Sequence, residues 1–229
     1  MPSIAVVILL LLALLLLWSL YRLYRACRRA NRVDWGRGWM NTLDGLNRLF
    51  CYRYHRLNVL GLRLPRRGPA IVVANHVSGL DPMLLFASAR RPLRFLIARE
   101  EYRRFGLTWL FRAIGCIPVD REKRPEQALR EALRCLREGE VLALFPHGRI
   151  HLDSDPPRPI KGGAIRLSQL TGAPILPYRI DGVHGEGHVV RGVLLRGRAR
   201  IRTHAPIYPE DYSREQLLPL VQSILDGRE

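Results

Sequence analysis

Between Ile4 and Leu20 the chain carries one polar side chain, Ser19, and no charge appears before Arg22. Taken as a helix from Ser3 to Tyr21, this stretch is about 28 Å long at roughly 1.5 Å per residue, which matches the roughly 30 Å hydrocarbon layer of a bilayer. A signal peptide would have a basic amino end, a shorter apolar run and a small-residue cleavage site. Here the amino end has no basic side chain, and the run is followed by Arg22, Arg25, Arg28, Arg29 and Arg32 with no acid before Asp34. Such a cluster is retained in the cytoplasm. The expectation is an uncleaved anchor over residues 1–24 that places the rest of the chain on the cytoplasmic face of the inner membrane, with Trp18, Tyr21 and Tyr24 at the aromatic belt. A helix dipping into one leaflet is the other arrangement this stretch allows.

Residues 25–57 read as a basic linker and a second, amphipathic helix. Trp39, Met40, Leu43, Leu46, Phe50, Tyr54 and Leu57 recur at helical spacing, while Arg37, Asn41, Asn47 and Arg48 fall elsewhere on the wheel. Such a face can lie in a membrane interface or pack on a soluble domain, and the pattern does not choose between them.

From residue 58 onward, short apolar runs alternate with amphipathic stretches. Strands are expected over 70–75, 93–98, 116–119, 141–145 and 174–180, and a hairpin over 189–195 and 198–204. Helices are expected from Asp81-Pro82, read as a cap and first helical position, and over 100–113, from Pro125 to a stop at Gly139, over 165–170, and over 214–225 where Pro219 disturbs it. The result is an α/β fold with a mixed sheet flanked by helices, preceded by a membrane helix. With 48% hydrophobic and 25% charged residues among 229, the chain can bury a sizeable core, which excludes a disordered protein. The 37 Lys and Arg against 20 Asp and Glu leave a net charge of +17, which points to an anionic partner of unspecified kind. Cys27, Cys51, Cys116 and Cys135 form no CxxC pair, so neither a disulfide framework nor a zinc site is indicated.

The sharpest constellation is Asn75-His76-Val77-Ser78-Gly79-Leu80-Asp81-Pro82, directly after an expected strand. A histidine in a loop at the carboxyl end of a strand can act as a general base, and an aspartate five residues on can hold its tautomer. No Gly-x-Ser-x-Gly elbow accompanies it, so a nucleophile would come from the substrate. Taken alone, the pair also reads as a structural histidine and a helix cap. Phe145-Pro146-His147-Gly148-Arg149 follows another expected strand and would present an arginine on a turn, suited to gripping an anion. Gly115-Cys116-Ile117-Pro118-Val119-Asp120-Arg121, Lys161-Gly162-Gly163 and Ala173-Pro174-Ile175-Leu176-Pro177 complete the series.

H-x4-D, then G-x-x-P-V-D-R, then F-P-x-G, then A-P-I-L-P, in this order, resemble the four sequence blocks of the glycerolipid acyltransferases, above all the bacterial 1-acylglycerol-3-phosphate acyltransferases. The likeness covers about residues 70–180. It implies an acyltransferase domain over 58–229 in which His76 deprotonates a lysolipid hydroxyl, Asp81 orients His76, and the acyl donor is acyl-CoA or acyl carrier protein, with no cofactor or metal. It also implies substrate contacts from Asn75, Arg121, Pro146, His147, Gly148, Arg149 and Lys161, with Arg121 on the substrate phosphate. The third block of the family reads F-P-E-G-T-R. Here His147 stands in the glutamate position, Arg149 in the threonine position and Ile150 in the arginine position, which leaves the acceptor open between 1-acylglycerol-3-phosphate and another lysolipid such as lyso-ornithine lipid. The partners implied are membrane lipids, the lysolipid and the acyl donor, and not nucleic acid, for which no recognition motif is present. Two readings of other classes remain. One is a membrane-tethered metal hydrolase using His76, Asp81, His147, His151, His184 and His188; the other is a non-catalytic lipid-binding adaptor.

Overall fold

The computed structural model describes residues 3–61, 64–103, 106–120 and 125–228. Helix α1 covers Ile4–Ala30, running past the expected end of the anchor at Tyr24, and its side chains up to that tyrosine are exposed. Among the described residues it is the one helix long and apolar enough to cross a membrane. Helix α2 (Gly38–Leu49) packs against its last turns and is continued by a π-helical turn, Phe50–Tyr54. The contact is close at Gly45, where an added Cβ would lie 1.8 Å from the Cys27 carbonyl oxygen.

The face that α2 buries is not its apolar one. Met40, Asp44, Gly45 and Arg48 point inward, whereas Trp39, Leu43, Leu46 and, beyond the helix, Tyr54 are exposed. The reason is a polar anchor. Arg48 donates through Nε to Asp44 Oδ2 at 2.7 Å and through Nη1 and Nη2 to the carbonyls of Ala87, Phe86 and Ala89. Those are carbonyl groups at the end of α3 (Asp81–Ser88); that of Phe86 also accepts from Ala89 N–H at 3.3 Å, while Ala87 and Ala89 lie where no further turn follows. One guanidinium therefore neutralises a buried carboxylate and finishes a neighbouring helix, and in doing so turns the apolar row outward.

Seven strands form one sheet: β1 (Asn58–Leu60), β2 (Ala70–Ala74), β3 (Leu93–Ala98), β4 (Ile117–Val119), β5 (Val141–Leu144), β6 (Ile175–Asp181) and β7 (Arg200–Thr203). Their order is β1-β7-β6-β2-β5-β3-β4. All neighbouring pairs are parallel except β6 with β7, so the sheet is mixed. Central β2 is buried along its whole length, as a parallel strand covered on both faces must be. Ala70, Val72 and Ala74 face a core shared with α3, while Ile71 and Val73 face one shared with α6 (Pro125–Arg137), α7 (Gly163–Thr171) and α9 (Arg214–Asp226).

Three expectations change. The single helix over 100–113 is two, α4 (Arg99–Arg103) and α5 (Thr108–Ile114), with Gly106 between them in left-handed backbone. Asp81 is the first helical residue of α3 rather than its cap, which is Leu80. No hairpin joins 189–195 to 198–204: Val189–Leu194 is a helix, α8, and β7 pairs with β6 instead. The last carbonyls of α8 accept from His55 Nε2 (Val193, 3.1 Å) and from the Tyr54 hydroxyl (Leu194, 2.7 Å), so tertiary partners complete a short helix in which half the residues are β-branched. Helix α9 forms as expected and runs through Pro219.

Arg48→Ala removes one half of a buried ion pair and unsatisfies the end of α3. A loss of about 3 to 5 kcal/mol is expected, read as a lower denaturant midpoint, with Arg53→Ala on the adjoining exposed turn as a near-neutral control.

Candidate active site

The carboxyl ends of β2, β5 and β6 lie along one edge of the sheet, and the loops leaving them carry the residues singled out above. His76 follows β2. Its Nδ1 stands 2.8 Å from Asp81 Oδ2, with the imidazole partly open to solvent and the carboxylate fully buried. Asp81 is held from three further directions: the same oxygen accepts from the backbone N–H of Val77 (2.6 Å) and of Ser78 (2.8 Å), and Oδ1 accepts from the Ser78 hydroxyl (2.8 Å). Its position at the start of α3 adds the positive end of a helix dipole to these donors. The buried charge is thus fully partnered, which is the condition for placing one there at all.

With Asp81 acceptor-only, the bond fixes the proton of neutral His76 on Nδ1 and leaves Nε2 as the basic nitrogen. Nε2 has no protein partner among the described residues. The ring is stacked on Phe145, at the end of β5, with centroids 4.2 Å apart and planes 13° from parallel. The backbone carbonyl of His76 accepts from His151 N–H at 2.7 Å, and that of Val77 from Gly187 N–H at 2.8 Å. Loops from β5 and β6 thereby clamp the His76 to Asp81 turn on both sides. Gly192 in α8 presses against Ser78: an added Cβ there would lie 2.6 Å from the Ser78 Cβ.

The remaining candidates separate. Asn75 is buried and spends its amide on the N–H and carbonyl of Ile180, tying β2 to β6, so it braces the edge rather than facing a ligand. The Pro146 carbonyl accepts from Lys161 N–H and closes the loop between β5 and α7, with Gly148 in left-handed backbone at its first turn. Arg149 projects from this loop, exposed and with no hydrogen bond or ion pair among the described residues. Arg121 lies outside the described residues. Its neighbour Asp120 pairs with Arg99 at the end of β3.

His147 is not on the open face. It is buried, neither ring nitrogen is hydrogen-bonded, its Nε2 lies 3.5 Å from Asp226 Oδ1, and its ring sits 4.7 Å from that of His151. Burial pushes its pKa down, with the adjacent His151 acting in the same direction and Asp226 opposing. A substrate contact from this side chain does not follow from its position. Ser78 and Phe145 lie inside quoted motifs and His151 was read only as a possible metal ligand, so none of the three was assigned the role it has here, and Gly192 was not singled out at all. The metal-dependent alternative needs converging donors, and no group of three His, Cys, Asp or Glu suited to a metal forms among the described residues.

A family model described as "Acyltransferase" matches residues 56–181. A Mycoplasma genitalium protein named "Probable 1-acyl-sn-glycerol-3-phosphate acyltransferase" is 33% identical over 130 residues, covering 54% of this chain and 47% of that one. The "N-acylphosphatidylethanolamine synthase" of Arabidopsis thaliana is 30% identical over 126 residues, covering 51% and 44%. The chain spans about half the length of these two relatives. A crystal structure of the 1-acyl-sn-glycerophosphate (LPA) acyltransferase PlsC from Thermotoga maritima has the same fold, with a TM-score of 0.66, 23% identity and coverage of 85% of this chain and 81% of that one.

His55, like His147, is buried and has its pKa lowered by burial, against the pull of the Val193 bond. Both are neutral in the fold, whereas the unfolded chain protonates them near pH 6.5. The unfolded state thus gains protons that the native state refuses, so stability is full above about pH 6.5 and falls as pH drops below it. Denaturant midpoints measured between pH 8 and 5 are expected to decline on the acid side, and His147→Gln to decline less steeply.

Proposed function

The chain belongs to the glycerolipid acyltransferase family, and on that footing we propose that it transfers a fatty acyl group from a thioester donor, acyl-CoA or acyl carrier protein, to the hydroxyl of a membrane lysolipid. The observation that carries this reading is the oriented His76–Asp81 pair whose second ring nitrogen faces out at the sheet edge. His76 Nε2 takes the proton of the lysolipid hydroxyl as its oxygen bonds to the thioester carbonyl carbon. The tetrahedral intermediate then collapses, the carbon–sulfur bond breaks, and the leaving thiolate takes that proton back from Nε2. No covalent enzyme intermediate is needed. Asp81 stabilises the imidazolium between the two transfers, and its backbone donors together with Phe145 keep the ring from turning away.

The acceptor best supported is 1-acylglycerol-3-phosphate, giving phosphatidic acid, in line with the names of several relatives and with Arg149 exposed and uncommitted beside the site. A different lysolipid is favoured by one specific observation: the glutamate position of the third block holds a buried His147 and the arginine position holds Ile150. In either case acceptor and acyl chain reside in a bilayer. Helix α1 serves as the anchor, with Arg22 over the Trp18 ring and Arg25 over Tyr21, as cations and aromatics arrange themselves at an interface. The outward row Trp39, Leu43 and Leu46 lies along the same surface, and Trp39 meets exposed Trp109 of α5. The catalytic edge then works from the cytoplasmic leaflet.

Incubation of the full-length protein in detergent or vesicles with acyl-CoA or acyl carrier protein and a lysolipid panel, with products identified by mass spectrometry, tests the reading. His76→Ala is expected to lower turnover by roughly 10² to 10⁴, the contribution of a general base, with the fold retained. Acyl transfer undiminished by that change would overturn it. Gly192→Ala should cost roughly 10- to 100-fold in kcat by displacing Ser78 from Asp81, with both KM values near wild type.

A further inference from the structure

His76 has a neighbour on each side. In the sheet order β6-β2-β5, the β5 side offers Arg149, while the β6 side opens into a second basic feature that the mechanism does not use. It is a cleft of about 550 Å³ lined by Arg56, Gly182, His184, Arg196, Gly197, Arg198 and Arg200. No carboxylate lines it. The nearest, Asp181, is already engaged by Arg200 at 2.9 Å and Arg202 at 3.0 Å. Arg56, Arg196 and Arg198 are exposed and have no ion-pair or hydrogen-bond partner for their side chains among the described residues.

This clustering of positive charge is built into the backbone. Gly182 has φ +72 and an added Cβ would lie 2.3 Å from the Arg198 carbonyl oxygen; Arg198 N–H donates to the Gly182 carbonyl at 3.1 Å. The two loops thus meet at a floor that only glycine permits. Arg56 is the one non-glycine described residue with positive φ, at 50°, held between buried His55 and Leu57, so its side chain is forced outward into the cleft. Three exposed cations gathered around one glycine floor repel one another, and an anion relieves that repulsion.

The cleft lies on the catalytic edge. β7 begins opposite the end of β6, at Asp181 and Arg200, and Asn58 at the start of β1 pairs with Arg200. At the roughly 4.8 Å spacing of strands, its centre is about 10 Å to the side of β2. Residues 182–188 run from it directly to the catalytic turn, where Gly187 N–H bonds the Val77 carbonyl. That separation is wrong for the phosphate of a lysolipid, which sits a few bonds from the attacking hydroxyl. It suits a thioester donor, whose phosphate is separated from its sulfur by a long pantetheine arm.

We propose that this arginine cleft binds the phosphorylated pantetheine carrier of the acyl donor, with the arm lying along residues 182–188 to bring the thioester to His76. The proposal rests on the acyltransferase reading and adds to it the place where the donor docks. Phosphate on a pantetheine arm is common to CoA and to carrier protein, and separate assays distinguish the two sources.

The test uses the full-length protein with Arg196→Glu/Arg198→Glu and, separately, Arg56→Gly, which removes the charge while relaxing the backbone. Arg166→Glu, at an exposed position of α7, controls for net charge. With acyl-CoA and with acyl carrier protein in turn, the double variant is expected to raise the donor KM at least tenfold while the lysolipid KM moves less than threefold, and Arg56→Gly to shift it in the same direction. An effect on both donors assigns the shared phosphate, and an effect on one assigns that carrier; each supports the cleft. Titration of free CoA and of holo carrier protein by calorimetry gives a readout independent of turnover, and wild-type binding of at least one that is lost in the variants is expected. Unchanged donor KM and binding, or a rise confined to the lysolipid KM, overturns the proposal and leaves the acyltransferase reading intact. Wild-type protein that binds donor yet transfers to no lysolipid overturns that reading instead.

Discussion

A buried carboxylate that must never be left unpartnered organises the candidate site at the sheet edge. Asp81 collects an imidazole, a hydroxyl and two backbone N–H groups, and each donor fixes a different part of the fold. The backbone donors bend residues 76–81 into a turn; the hydroxyl locks Ser78, against which α8 packs at Gly192; the imidazole is what remains to face solvent. Only then is His76 both oriented and basic on the outer nitrogen. The sheet supplies the rest, because Phe145 from β5 and residues 180–187 from the β6 side restrain the same turn. Desolvation makes the arrangement costly to misassemble, and that cost is what makes it rigid.

The same physics operates at the other end of α3. There Arg48 satisfies orphan carbonyls and a buried Asp44, and the consequence is a helix worn inside out, with its apolar row exposed. In water this would be an unfavourable surface. On the membrane reading proposed above, a bilayer covers it beside the exposed α1. A single guanidinium therefore couples α2, and through it α1, to the helix whose first residue holds His76.

Much of this was legible in the chain. Strands β2 and β5 stood out because strands covered on both faces are continuous β-branched or apolar runs, and the His76 to Asp81 pair stood out because an aspartate five residues after a histidine, in the loop leaving a strand, is a turn's length away. The amphipathic period of residues 37–57 was equally plain. What could not be read is which face α2 buries, since that depends on carbonyls of Phe86, Ala87 and Ala89 about forty positions away. Val189–Leu194 looked like a strand for its valines; its helix is completed by His55 and Tyr54, from the far end of the domain. His147 was read as facing substrate because its motif does, yet β5 and α9 enclose it beside Asp226. In each case the missing information is a long-range polar contact, the one kind of constraint that periodicity does not encode.

Sheet order converts these local facts into a division of labour. Because β2 lies between β5 and β6, any two ligands that meet at His76 approach from opposite flanks, and the chain places uncommitted arginine on both. On the reading proposed above, an acceptor with its charge close to its hydroxyl fits the single exposed arginine of the β5 loop. A donor with its charge far from its thioester fits the broader cluster beyond β6. The antiparallel β7 is what makes the second flank possible: it returns the chain to the catalytic edge at Arg198 and Arg200 rather than leaving it at the opposite end of the sheet.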